Sequence, residues 1–177
     1  MKKFTIASGV LIYLVTVGFP SYCEEKGSAF ADHSRKRIIK TAKRYLGVRY
    51  RYGGTSPFGF DCSGFVMFVF KKNGIHLPRE ARGQYYKGKK ISISKAQPGD
   101  LVFFRVRSRR RRRRISHVGI YIGNHRFIHS PSRGKRVSIT SMNNSYWKRR
   151  YIGAVTFLKE MNHKVDNLKK FALKSNN

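Results

Sequence analysis

Carboxylates are scarce in this chain of 177 residues: eight Asp and Glu stand against 39 Lys and Arg, a formal net charge of +31. A field of that sign favours polyanions, whether nucleic acid, acidic membrane surfaces or acidic cell-wall polymers, and it fixes the sign of a partner but not its identity. Cysteine is scarcer still, with only Cys23 and Cys62, so the chain is no disulfide scaffold. Paired Cys and His ligands at zinc spacing are missing, which argues against a structural zinc site. No internal repeat is present, which argues against a repeat architecture. What remains is 40% hydrophobic and 14% aromatic, a globular composition despite the charge, and at this length it makes one domain.

The first 22 residues, MKKFTIASGVLIYLVTVGFPSY, supply a compartment. Lys2 and Lys3 precede an uncharged run from Phe4 to Phe19, and Pro20 breaks it before Cys23. The run is short for a spanning helix and has the layout of a secretory signal, so the protein is expected to be exported to the periplasm or held at the outer membrane. Residues 1–23 are assigned to this segment. Cys23 stands where a bacterial lipoprotein carries its lipidated cysteine, although Tyr22 is large for that site; cleavage after Cys23 or after Ala31 fits the pattern as well.

Residues 24–33 read as a linker. From Ser34, a candidate N-cap, Ile38, Ile39, Ala42, Tyr45 and Leu46 recur at helical spacing until Gly47. RYRYGGTSPFGF, with paired glycines and a proline, is a loop. DCSGFVMFVFKKNG is a second helix, apolar nearly all round, with Asp61 at its start and Asn73-Gly74 at its end. Beyond it come GDLVFFRV, ISHVGIYIG, HRFIHSP, KRVSIT and YIGAVTF, short β-branched or aromatic runs split by turns. They predict an antiparallel sheet of about five strands, with a hairpin turn at Gly123-Asn124. Helices first and a meander after them make an α+β domain over residues 34–158, followed by a polar tail at 159–177.

Cys62 sits at the first turn of an apolar helix, where unpaired N–H groups and the helix dipole favour a thiolate. Its own N–H would face a developing oxyanion, and Ser63 and Gly64 leave room for a substrate backbone. A nucleophilic thiol needs a base and a group to orient that base. Of six histidines, His33, His76 and His163 read as surface residues and His125 as a turn residue. His117 lies in one predicted strand and His129 closes the next, so a single hairpin brings both to one face. A disulfide with Cys23 is open only while Cys23 is neither cleaved off nor lipidated; otherwise two readings stand on residues alone: a Cys62–His117–His129 cluster, or an inert core thiol beside strand histidines satisfied by hydrogen bonds.

YRYGGTSPFGFDCSGFV, LPREARGQ, AQPGDLVFF and ISHVGIYIGNHRFIHSPS, in that order, resemble the NlpC-type cell-wall cysteine peptidases, over about Ser34 to Leu158. The resemblance implies a papain-like fold and hydrolysis of peptidoglycan stem peptides. It implies Cys62 as nucleophile, His117 as base and His129 as the orienting group, with Tyr50 beside the nucleophile as an oxyanion ligand. It implies no metal and no organic cofactor. Asp61 and Ser63 flank the nucleophile; they either contact substrate or, for Asp61, simply cap the helix. The ending SMNNSYWKRRY narrows the resemblance to murein DD-endopeptidases that cut the D-alanine to diaminopimelate cross-link. Other members cut between D-glutamate and diaminopimelate.

One departure from the family pattern is a run of six arginines, Arg109, Arg110, Arg111, Arg112, Arg113 and Arg114, between two predicted strands. It reads either as a solvated loop on the His117 side or as a contact for peptidoglycan carboxylates, anionic envelope lipid or polysaccharide. A nucleic-acid-binding protein would use that run together with Phe103, Phe104 and Tyr121, but core-like spacing of the aromatics and the export signal oppose it. A wall-binding domain without catalysis is opposed by the intact Cys/His/His set. A monomer is expected.

Overall fold

The computed structural model describes residues 22–106, 115–133 and 135–158, with side chains from Asp32 onward. The proposed signal segment up to residue 21 and the tail 159–177 lie outside the described residues, and so do Arg109, Arg110, Arg111, Arg112, Arg113 and Arg114.

Helix α1 runs Tyr22–Lys43. It starts well before the Ser34 cap, and 24–33 is helical: that stretch holds no proline, and its one glycine, Gly27, costs a helix only about 1 kcal/mol relative to alanine. Ile38 and Ala42 are fully buried, and Lys40 and Lys43 fall in the last turn, where cations suit the negative end of the dipole. Strands β1 (Thr55–Ser56) and β2 (Gly59–Phe60) make a small hairpin ahead of α2 (Cys62–Lys72). Helix α2 buries Phe65, Val66, Val69 and Phe70, each side chain worth roughly 1.5–3 kcal/mol in burial, and stops at Asn73 as its sequence predicts.

The main sheet has six antiparallel strands: β3 (Lys89–Ile91), β4 (Leu101–Phe104), β5 (His117–Gly123), β6 (Arg126–His129), β7 (Ser138–Ser141) and β8 (Tyr151–Thr156), in the order β3-β8-β4-β5-β6-β7. All five expected strands form. The sixth, β3, is three residues long with two exposed lysines, too short and polar for the pattern to reveal. The topology is not a plain meander, because β8 returns to lie between β3 and β4. Helices α3 (Ala81–Lys87) and α4 (Ser145–Lys148) fill connections. The β5–β6 turn is Asn124-His125, both at positive φ (50° and 51°), one residue later than expected, with Gly123 ending β5.

Two apolar clusters cover the two faces of the sheet. Leu101, Phe103, Val118, Ile120, Ile128 and Val155 pack beneath α1 and α2; Val102, Phe104, Tyr121, Phe127, Met142 and Trp147 form the second cluster. Phe103, Phe104 and Tyr121 are therefore buried, with no ring face left for stacking on bases, which removes the nucleic-acid reading built on them.

Candidate active site

Asp61 caps α2: its Oδ1 accepts the Gly64 N–H at 2.7 Å, while its own N–H donates to the Gly54 carbonyl at 3.0 Å. The paired-glycine loop thus lies directly on the first helical turn. A Cβ on Gly64 would stand 2.1 Å from the Gly54 carbonyl oxygen, so the last residue of Asp-Cys-Ser-Gly has no room for a side chain.

Asp61 and Ser63 are candidates for substrate contact by sequence position, and the geometry gives their polar atoms internal work instead. The Arg79 guanidinium donates to Asp61 Oδ2 at 2.5 Å and Oδ1 at 3.1 Å, and to Ser63 Oγ at 3.1 Å; Ser63 Oγ donates to Asp61 Oδ1 at 3.2 Å. Gln84, fully buried on α3, donates Nε2 to the Ser63 carbonyl. A buried carboxylate needs a counter-charge, and in this chain Arg79 supplies it. Tyr50 is half-buried and its backbone bridges to Phe60, two residues ahead of the thiol.

Cys62 is a free, partly buried thiol. Burial, with a smaller contribution from the Asp61 charge, pushes it up to about 11, whereas the N–H groups of Val118, Ser63 and Cys62 itself pull it down. The helix N-terminus therefore acts on the sulfur as its sequence position predicts, but desolvation outweighs it. The Val118 N–H also locates the sulfur, within one residue of His117.

The histidines follow from strand register. His117, Gly119 and Tyr121 share one face of β5; Phe127 and His129 share a face of β6, with Tyr121 opposite Phe127. His117 Nε2 and His129 Nδ1 meet at 2.7 Å, and His129 Nε2 meets Thr140 Oγ1 of β7 at 2.9 Å. Gly119 makes the crossing feasible: a Cβ there would lie 2.5 Å from Phe127 Cδ2, 2.9 Å from the Ile128 carbonyl oxygen and 3.1 Å from His129 Cβ. Trp147 closes the pair, its ring 5.2 Å from His117 and 4.9 Å from His129. Sealed this way, both imidazoles are held neutral by burial: His117 falls to about 3, and His129, with His117 beside it, to about 2.

The chemistry available is nucleophilic catalysis from a neutral thiol and a neutral base. With Nε2 committed to His129, Nδ1 is the atom of His117 that can take the sulfur's proton. Among the described residues no three of His, Cys, Asp and Glu converge to hold a metal. Cys23 falls in the first turn of α1. The polyanion contact expected of Arg109, Arg110, Arg111, Arg112, Arg113 and Arg114 falls outside the described residues. Sequence reasoning misses Arg79, Thr140 and Trp147. A signal for Arg79 exists, in a chain whose few carboxylates include one that must be buried at a helix cap.

Other proteins carry the same arrangement of sequence. The chain is 47% identical over 118 residues to the Escherichia coli K12 protein named murein DD-endopeptidase MepS/murein LD-carboxypeptidase, covering 66% of this chain and 60% of that one. It is 38% identical over 152 residues to murein DD-endopeptidase MepH of the same strain (77% and 55%). The chain thus spans a little over half the length of these relatives. Among solved structures, an NlpC/P60 family protein from Bacillus cereus superposes with a TM-score of 0.65 at 37% identity, covering 70% of this chain and 40% of that one. The NlpC/p60 domain of the peptidoglycan hydrolase SagA superposes at 0.60 and 32% identity, covering 70% and 98%. The family model matches residues 47–156, an interval that opens just before Tyr50 and takes in the thiol, both histidines and the whole six-stranded sheet, and the chain belongs to the NlpC/P60 family.

Proposed function

We propose that the protein is a peptidoglycan hydrolase, a cysteine endopeptidase that cuts the D-alanine to diaminopimelate cross-link between stem peptides. The observation that carries it is the 2.7 Å bond from His117 Nε2 to His129 Nδ1, which leaves His117 Nδ1 to serve a free thiol at the head of α2. His117 takes the Cys62 proton as Sγ adds to the peptide carbonyl, because neither partner is charged at rest. The Cys62 N–H, with the Tyr50 hydroxyl, stabilises the oxyanion. His117 then protonates the leaving amine, and water, deprotonated by the same imidazole, hydrolyses the thioester and restores the thiol. His129 holds His117 in place throughout.

The choice of bond rests on the MepS and MepH relatives, whose names specify DD-endopeptidase. A cut inside one stem stands second, since a 37% identical Bacillus subtilis relative is named gamma-D-glutamyl-L-lysine dipeptidyl-peptidase. The protein acts outside the cytoplasm, in the periplasm or at the outer membrane, with Cys23 as lipid attachment point. The arginines from Arg109 to Arg114 contact anionic envelope lipid or polysaccharide.

Digestion of diaminopimelate-type peptidoglycan by the mature protein and by Cys62→Ala, followed by mass analysis of muropeptides, is the test. Cross-linked dimers should become monomers only with the thiol intact. Loss of dipeptides from monomers would move the cut within the stem, and loss of a terminal D-alanine would make the enzyme a carboxypeptidase. Equal action by the Cys62→Ala protein would end the cysteine mechanism.

A further inference from the structure

We infer that Thr140 is the terminal hydrogen-bond acceptor of a chain that runs His117–His129–Thr140 and holds His117 in its Nε2–H tautomer, a positioning residue for the reaction proposed above. Each neutral imidazole carries one N–H, so the two rings and the hydroxyl must order their hydrogens in one of two directions. Either every N–H points toward Thr140, leaving His117 Nδ1 bare for the thiol, or every N–H points back toward Cys62, and the base cannot accept a proton.

The surroundings of the sulfur choose between them. Three backbone N–H groups, from Cys62, Ser63 and Val118, already favour negative charge on Sγ. A fourth donor from His117 Nδ1 would crowd a weak acceptor and leave the S–H without one. A bare Nδ1 instead leaves the base open to the thiol's proton. The hydrogen of His117 then sits on Nε2 and donates across 2.7 Å to His129 Nδ1, so His129 carries its own on Nε2 and donates across 2.9 Å to Thr140 Oγ1. His129 is 1% exposed, so without Thr140 that N–H would be a buried donor in want of a partner. Thr140 is only partly buried, and its own O–H can turn to solvent. The position follows from register: His129 pairs with Ser138 and Phe127 with Thr140, which places Thr140 diagonally across from His129 on the same face. Serine retains the hydroxyl; valine keeps the shape and removes it.

Nitrogen-15 NMR of the imidazoles in the free enzyme tests this apart from any substrate. The wild type and Thr140→Ser should give Nε2–H at both His117 and His129. Thr140→Val should shift one or both toward Nδ1–H and lower kcat on soluble cross-linked muropeptide dimers by about 10- to 100-fold with KM nearly unchanged, and Thr140→Ser should recover most of it. An Nδ1–H tautomer at His117 in the wild type overturns the inference even if Thr140→Val fails to fold, and so does a Thr140→Val protein with wild-type tautomers. Were no substrate cleaved by any of them, the proposed function would fail while the tautomer spectra still decided this one.

Discussion

The two histidines and the thiol share a property that governs their response to pH: each is held neutral by burial. The unfolded chain binds protons at His117 and His129 below about pH 6.5, whereas the folded protein refuses them until about 3 and 2. Depressed pKa values mean that stability is unaffected above pH 6.5 and falls as acid is added. The expected loss between pH 7 and pH 5 is about 1–2 kcal/mol per histidine. Denaturant unfolding at the two pH values measures it, and His129→Gln should have a visibly shallower slope; equal slopes would mean that His129 is charged in the fold. For Cys62 the sign is reversed, with stability lost from about pH 9 as the solution approaches 11. Cys62 stands out in the sequence from its local setting at the head of an apolar helix, whereas Tyr50 stands out only through the family resemblance. Arg79 and Thr140 do not stand out, because their partners Asp61 and His129 are 18 and 11 residues away, and only a finished loop or sheet brings them together.

At the scale of elements, three adjacent strands supply one side of the site as a staircase of His117, His129 and Thr140, and α2 supplies the other. The staircase depends on Gly119. Gly119→Ala places a methyl group against Phe127 and a backbone oxygen that cannot move alone, so it should destabilise the protein by about 1–3 kcal/mol and lower kcat at least tenfold. Thermal unfolding and muropeptide turnover read the two effects; an alanine variant with normal kcat would show that the histidines can meet by another route. The strands are readable since each is a β-branched or aromatic run bounded by turns. Helix α3 is not, because ARGQYYK carries neither an apolar stripe nor a side-chain cap, and it is held by contacts such as that of buried Gln84 with Ser63 and Pro78. The start of α1 is hard to place for the opposite reason: Ser34 is a good cap in the middle of a sequence that has no cause to stop being helical.

For the whole molecule, charge outweighs every other surface property. Two of the few carboxylates, Asp61 and Asp100, are buried and paired with Arg79 and Arg35, so the acid that does exist does little to offset the basic surface. Binding to intact wall should be electrostatic and fall about tenfold or more between roughly 0.05 and 0.5 M NaCl, for the active protein and Cys62→Ala alike, as the screening length shrinks from over about 10 Å toward about 3 Å. Turnover of small soluble dimers should change far less. Pull-down against salt would contradict this if wall binding stayed constant.

Along the seam between α2 and β5, Cys62 belongs to the helix and meets a backbone N–H of the strand, so the free thiol reports whether the two halves of the site are closed. Held near 11 rather than the usual 9, it gives the folded protein about a hundredfold less thiolate than an open form at the same pH. Alkylation of a Cys23→Ser protein is then a clock. Its rate should rise when helix and sheet part, because a thiol freed from burial recovers the lower pKa and with it more thiolate.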